Sequence, residues 1–181
     1  MISEEKIFKR KSKNELLAIM RNEKPIILPS GSIQQQIEHI IELVKAFERK
    51  YNGLTDEEIS YKYTHGDCGC LATLIKRFIP KASVKGLGDS EYAHTVVRIK
   101  DPNYISEERA IFHEDIILYD INGGKTYDEM VDFIVSELMD DRQRQLYNSS
   151  YLSMSWEEGG CSDNDTTEYL TAKINESLQV M

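Results

Sequence analysis

The sequence has few cysteines, few basic residues and no long apolar run, and each shortage excludes a class of protein. Its three cysteines are an odd number, and only one residue separates Cys68 from Cys70, so we expect reduced thiols rather than a disulfide framework. No stretch approaches the roughly 18 consecutive apolar residues that span a bilayer. Residues 1–6 also lack the apolar core of a signal peptide. These absences predict a cytoplasmic protein with no membrane partner.

Basic residues are outnumbered, with 22 Lys and Arg against 31 Asp and Glu, which gives a formal net charge of −9. Binding to nucleic acid needs a clustered basic face that neutralises phosphates. The longest basic run, at residues 9–11, is short and is typical of a solvated chain end. We therefore predict no nucleic-acid partner.

What the chain does contain is enough apolar material, 40% of its 181 residues, for one domain spanning residues 1–181. Apolar residues recur at spacings of three and four from Ile33 to Tyr51, which predicts a helix capped by Ser30 or Ser32 and ended by Gly53. Thr55 starts a capping-box pattern for a further helix. Thr126 is placed to cap another helix, and a last helix follows a loop at about residues 155–165.

The segment Gly66-Asp67-Cys68-Gly69-Cys70-Leu71-Ala72 leads from a turn into an apolar helical stretch ended by Pro80. This arrangement places Cys68 in the first turn of a helix, where unpaired N–H groups and the helix dipole favour a thiolate. A cysteine on an apolar helix is otherwise a small core residue, which is our interpretation of Cys70. Cys161 is interpreted as an incidental loop thiol.

Two predicted strands follow this helix. Residues 93–99 form one strand with His94 at its start, and residues 116–121 form a second strand that ends at Asp120 before Asn122-Gly123-Gly124. If the strands are antiparallel neighbours, His94 and Asp120 lie side by side and face the helix of Cys68. Asp120 could instead only cap a turn with Asn122 and the glycines. Residues 110–112 are expected to add an edge strand, since a stable sheet needs three or more strands.

The three segments at residues 66–72, 93–99 and 118–124 resemble the papain-like superfamily in its circularly ordered branch. That branch includes the transglutaminase-like, arylamine N-acetyltransferase-like and NlpC/P60-like proteins. The resemblance implies an α+β fold with helices packed on an antiparallel β-sheet, a papain-like/transglutaminase-like core at about residues 55–125, and helical N- and C-terminal elaborations. It also implies a catalytic triad of Cys68, His94 and Asp120.

These residues predict a thiol hydrolase or acyltransferase that acts on amide bonds of a protein or peptide through a thioester. The backbone N–H of Cys68 would stabilise the oxyanion, with His65, Tyr63 or Asn122 as further oxyanion or substrate-binding residues. Asn122 is also an alternative third member of the triad, because it shares a strand face with Asp120. No cofactor is predicted.

Three alternatives remain at this point. A zinc site at His65, Cys68, Cys70 and His94 is disfavoured because one residue between two cysteines does not match the usual zinc-ligand spacing. The chain could be a non-catalytic binding module that uses Trp156 and the acidic loop at residues 157–165 on a basic partner. It could also be a peptidoglycan peptidase of the NlpC/P60 type.

Overall fold

A computed structural model describes residues 13–88, 93–99, 116–146, 153–155 and 165–179. The α-helices of this part of the chain are α1 (Lys13–Met20), α2 (Ile33–Phe47), α3 (Asp56–His65), α4 (Cys68–Phe78), α5 (Tyr127–Phe133), α6 (Asp141–Leu146) and α7 (Asp165–Gln179). The strands are β1 (Ala82–Gly88), β2 (Ala93–Ile99), β3 (Ile117–Asp120), β4 (Gly123–Thr126) and β5 (Ser153–Ser155). Short π-helical segments extend α2 through Glu48–Asn52 and α5 through Ile134–Leu138.

The strands form one sheet in the order β4-β3-β2-β1-β5, and every neighbouring pair is antiparallel. The predicted α+β class with an antiparallel sheet is therefore confirmed. Strands β4 and β5 were not predicted from the sequence. The first contains two adjacent glycines, which are depleted in strands, and the second has only three residues.

Strands β3 and β4 form a tight hairpin that depends on its glycines. Gly123 has a φ of +100°, a conformation that residues with a Cβ rarely adopt. Gly124 lies opposite Tyr119, and a Cβ at this position would come within 2.7 Å of the tyrosine ring. These two glycines, which were predicted to follow the end of a strand, let the chain turn back and form a further strand.

Apolar side chains fill both faces of the sheet. On one face, residues such as Ala82, Val97 and Tyr119 pack in a cluster with α2, α3, α4 and α7. On the other face, Leu87, Val96, Ile116 and Leu118 pack with Met130 of α5 and Ile134. The expected packing of helices on the antiparallel sheet agrees with this arrangement, but α5 adds a second helical layer on the opposite face, which was not predicted from the sequence.

The predicted helix caps agree with the structure. Ser32, Thr55 and Thr126 each accept a hydrogen bond from the backbone N–H three residues on, and each completes a capping box. Gly53 ends the α2 segment with a left-handed φ of 67°. Among the described helices, none is long and apolar enough to cross a membrane.

Several predicted features lie outside the described residues. These are the edge strand at residues 110–112, the loop thiol Cys161, and the Trp156 and acidic segment of residues 157–164.

Candidate active site

Cys68 is the first residue of α4, as the sequence predicted. Asp67 precedes the helix without a side-chain capping bond, and its carbonyl oxygen accepts the N–H groups of Cys70 and Leu71. Within the described part of the chain, no acceptor takes the N–H groups of Cys68 and Gly69. The positive end of α4 is therefore open at the cysteine, where it favours a thiolate and can donate to a developing oxyanion.

His94 and Asp120 lie on adjacent antiparallel strands and share one face of the sheet. The pairing of Val97 with Tyr119 and of Arg98 with Leu118 sets the register between β2 and β3. In this register, residues 94 and 120 are diagonal neighbours on the same face, since side chains alternate along a strand. His94 Nε2 lies 3.4 Å from Asp120 Oδ2, and both side chains are buried. The expected juxtaposition of the two residues is present. The expectation that both face the helix of Cys68 is wrong, because they share the face of Val96 and Leu118, which packs with α5, whereas α4 packs on the opposite face.

The two ring nitrogens of His94 have different surroundings. A carboxylate can only accept, so Nε2 carries the proton that it shares with Asp120. Nδ1 is buried and makes no hydrogen bond within the described structure. In the neutral imidazole this nitrogen therefore presents a lone pair, as the base that deprotonates a nucleophile must.

The Cys68 thiol and the His94 imidazole shift each other's pKa in opposite directions. Burial alone would raise the pKa of Cys68, but interactions with His94 and with the backbone and hydroxyl of Thr95 outweigh burial and lower the pKa to about 7. Burial alone would lower the pKa of His94, but interactions with Asp120 and Cys68 raise it to about 9. Between about pH 7 and pH 9 the pair is therefore a thiolate and an imidazolium.

Asp120 divides its two oxygens between the histidine and the hairpin. Oδ2 faces His94, while Oδ1 accepts the backbone N–H of Asn122 at 2.7 Å and the ammonium of Lys125 at 3.2 Å. Burial would raise the pKa of Asp120, but the bond to His94 and the charge of Lys125 lower it, so this buried carboxyl is ionised. Asp120 thus makes the contacts expected of both a turn cap and a partner of His94.

Asn122 enters the site through its backbone, because its N–H supports Asp120 while the residue itself is exposed. Lys125 and Thr95 are site residues that the sequence analysis missed. Thr95 shares a sheet face with Val97, and this face packs with α4, whereas the sequence was interpreted with the His94 face toward the helix of Cys68. Lys125 follows two glycines, and only the unforeseen strand β4 brings it to Asp120.

The other predicted oxyanion residues have different surroundings. The Tyr63 side chain is buried, and its hydroxyl donates to Glu48 at 2.8 Å, so it is not free to stabilise an oxyanion near Cys68. His65 is exposed, stacks on the ring of Tyr61, and contacts the Tyr61 carbonyl through Nδ1 at 3.1 Å. Both side chains hydrogen-bond to residues other than Cys68, and an oxyanion role for either stays a prediction.

A second buried charged group, the Glu48 cluster, consists of Glu48, Asn52, Lys62, Tyr63 and Thr166. The Glu48 carboxylate is 0% exposed and accepts hydrogen bonds from all four of the other residues. Burial would raise the pKa of Glu48, but Lys62 and these donors lower it. Lys62 Nζ also lies 3.7 Å from Asp67 Oδ2, which connects the cluster to the residue that precedes Cys68.

The cysteines contradict one part of the sequence analysis. Cys68 is a free thiol, but Cys70 is disulfide-bonded, so the expectation of reduced thiols throughout is wrong. Cys68 and Cys70 are poor disulfide partners for each other because a single residue separates them. This spacing does not exclude a bond from Cys70 to another cysteine. Cys70 is nonetheless buried on α4, as a core residue would be.

No group of three or more His, Cys, Asp or Glu side chains within the described ranges is arranged to hold a metal ion. The free thiol at a helix start, the imidazole and the carboxylate are arranged as a nucleophile, a base and an orienting group. Comparison with protein-family models, curated proteins and solved structures gave no significant match for the chain, so the assignment of this site depends on its geometry.

Proposed function

We propose that the protein is a thiol-dependent hydrolase or acyltransferase that acts on amide bonds of a protein or peptide. The observation that carries the proposal is the buried Nδ1 of His94, which has no hydrogen-bond partner among the described residues. The other ring nitrogen, Nε2, contacts Asp120, and the imidazole lowers the pKa of the Cys68 thiol. A buried polar atom without a partner costs free energy, and an imidazole in contact with a thiol has a chemical use for that atom.

The proposed reaction begins with the thiolate of Cys68, whose proton has passed to His94 Nδ1. The sulfur attacks the acyl carbon of an amide, and the resulting oxyanion is held by the open N–H groups of Cys68 and Gly69. His94 then returns its proton to the leaving amine, so that the C–N bond breaks and a thioester remains on Cys68. Water gives hydrolysis and a second amine gives transfer. Asp120 fixes the imidazole tautomer and stabilises the imidazolium throughout.

The papain-like core remains part of this proposal. Its support is the order of elements, in which a helix headed by the cysteine is followed by antiparallel strands that carry the histidine and the aspartate. The cytoplasmic location predicted from the sequence loses one of its supports, because the disulfide at Cys70 is more typical of an oxidising compartment.

The test is a screen of fluorogenic peptide amides with hydroxylamine as an added acyl acceptor, followed by mass analysis of the intact protein for an acyl adduct. Cys68→Ala should remove turnover and adduct while the thermal midpoint stays within about 2 °C. His94→Ala should remove turnover as well, whereas His39→Ala, which changes a histidine on α2, should have no effect.

A second measurement works without any substrate. Iodoacetamide is neutral, so its rate of reaction with Cys68 follows the thiolate fraction, and the rate should be half-maximal near pH 7 rather than near the value of an ordinary thiol. Full turnover in Cys68→Ala, or an ordinary thiol profile in the wild type, would overturn the proposal.

A further inference from the structure

Lys125 is the charged side chain of β4, and it contacts the Asp120 carboxylate at the oxygen that does not face His94. Its Nζ lies 3.2 Å from Asp120 Oδ1, and its side chain is only 19% exposed. The same ammonium lies 5.0 Å from the centre of the Phe133 ring. The Phe133 and His94 rings are in a T-shaped arrangement, with 6.5 Å between their centroids. Lys125 is thus held over α5 with its charge directed at the triad carboxylate.

The register of the hairpin explains this position. Lys125 pairs with Leu118, and Asp120 pairs with Gly123, so Lys125 and Asp120 are diagonal neighbours on the face that carries His94. The contact between Lys125 and Asp120 therefore follows from the pairing of β3 with β4.

We propose that Lys125 is a positioning residue of the candidate triad, which neutralises Asp120 so that the positive charge of His94 remains available to the Cys68 thiolate. The inference depends on the function proposed above. Without Lys125, Asp120 and the imidazolium would form a closed ion pair, and a thiolate at Cys68 would add an uncompensated negative charge to a buried site. With Lys125, the four groups carry two positive and two negative charges.

The other charged groups around the site are arranged on several elements. Glu129 on α5 is close enough for Lys125 to lower its pKa, but it is exposed and bonded to Thr126. Asp67 precedes Cys68 and lies near Lys62. Lys85 and Arg98 are on the same sheet face as His94, on β1 and β2. Among these groups, Lys125 is the one with an ion pair to Asp120.

The experiment measures the rate of Cys68 alkylation by iodoacetamide from pH 5 to pH 10 in the full-length chain, with Cys68→Ala as the blank. In Lys125→Met the acid limb should move to higher pH, so that the rate at pH 6 falls about three- to tenfold while the rate at pH 10 stays within about twofold. Lys125→Arg keeps the charge and should restore the wild-type profile. Lys45→Met, which removes a lysine of similar exposure (25%) from an ion pair with Glu42, should leave the profile unchanged.

The outcomes separate this inference from the proposed function. A wild-type profile centred near pH 7 together with an identical profile in Lys125→Met would overturn the role of Lys125 alone. A uniform loss of rate at every pH would also overturn it, since that result indicates a structural role. An ordinary thiol profile in the wild type would instead remove the proposed function. If Lys125→Met fails to fold by circular dichroism, Lys125→Gln provides the same comparison.

Discussion

The Glu48 cluster and the candidate triad are both buried, charged and shifted in pKa, yet they differ in which polar atom lacks a hydrogen bond within the described part of the chain: the amide oxygen Oδ1 of Asn52 in the first, and the ring nitrogen Nδ1 of His94 in the second. Glu48 accepts four hydrogen bonds, and its charge is matched by Lys62. In the triad, Asp120 is similarly saturated, but His94 Nδ1 has no hydrogen-bond partner. A perturbed pKa therefore does not by itself distinguish a structural group from a reactive one. Of the two groups, only the candidate triad has its unbonded atom on an imidazole near a free thiol, and this is why we propose that the triad is the reactive one.

Removing the negative charge of Asp120, which orients the His94 ring, should have the largest effect. Asp120→Asn keeps the size and the turn acceptor but loses the charge that raises the pKa of His94. Turnover should fall about 10²–10⁴-fold. The alkaline limb of its pH profile should move down, because His94 loses the carboxylate that raises its pKa and so loses its proton at lower pH.

Asn122→Ala is the matched control for this change. It removes an exposed side chain and keeps the backbone N–H that supports Asp120, so turnover should change by less than about twofold. The reverse ranking of the two variants would make Asn122 the third member of the triad.

A second change removes the counter-charge of the Glu48 carboxylate. Lys62→Met leaves the fully buried Glu48 without its counter-charge, and the free energy of unfolding should fall by about 3–5 kcal/mol, measured by urea denaturation. Lys50→Met removes a lysine from an exposed ion pair with Glu23 and should cost less than about 1 kcal/mol. A small loss in Lys62→Met would mean that the two clusters do not differ in the way described here.

The smallest effect is expected from the Thr95 hydroxyl, which contributes to the low pKa of Cys68 in the candidate triad. Thr95→Val removes a hydroxyl that stabilises the Cys68 thiolate but leaves the backbone N–H of residue 95 in place. The acid limb of the iodoacetamide profile should move to higher pH, with the rate at pH 6 reduced about two- to threefold, the size expected for one weak hydrogen bond. Thr95→Ser keeps the hydroxyl and should behave as the wild type. An unchanged profile in Thr95→Val would exclude the hydroxyl as a stabilising group.

The sequence predicted those features of the site that depend on local patterns. Cys68 at a helix start and His94 at a strand start follow from apolar periodicity and turn residues, and alternation placed Asp120 and Asn122 on one face. The capping boxes at Thr55 and Thr126 were equally local.

The features that the sequence missed depend on contacts between distant segments. Lys125 reaches Asp120 only because β4 pairs with β3, and the glycine pair that permits this pairing reads as a loop in the sequence. Glu48 lies in an otherwise ordinary helical stretch, and its four partners come from residues 52, 62, 63 and 166. The disulfide of Cys70 was missed because cysteine spacing does not show which thiols meet in space.

The double use of Asp120 has a consequence for the newly synthesised chain. One carboxylate oxygen belongs to the turn of the β3–β4 hairpin and the other meets His94, a residue 26 positions earlier. His94 lowers the pKa of Cys68, and Asp120 raises the pKa of His94, so the protonated imidazole gains its carboxylate partner only when this hairpin has docked beside β2. In the unfolded chain, a cysteine has the pKa of an ordinary thiol, near 8.5, and is mostly protonated and unreactive at neutral pH. If the protein has the activity proposed above, an unfinished chain therefore holds a thiol without its base and does not yet attack amides.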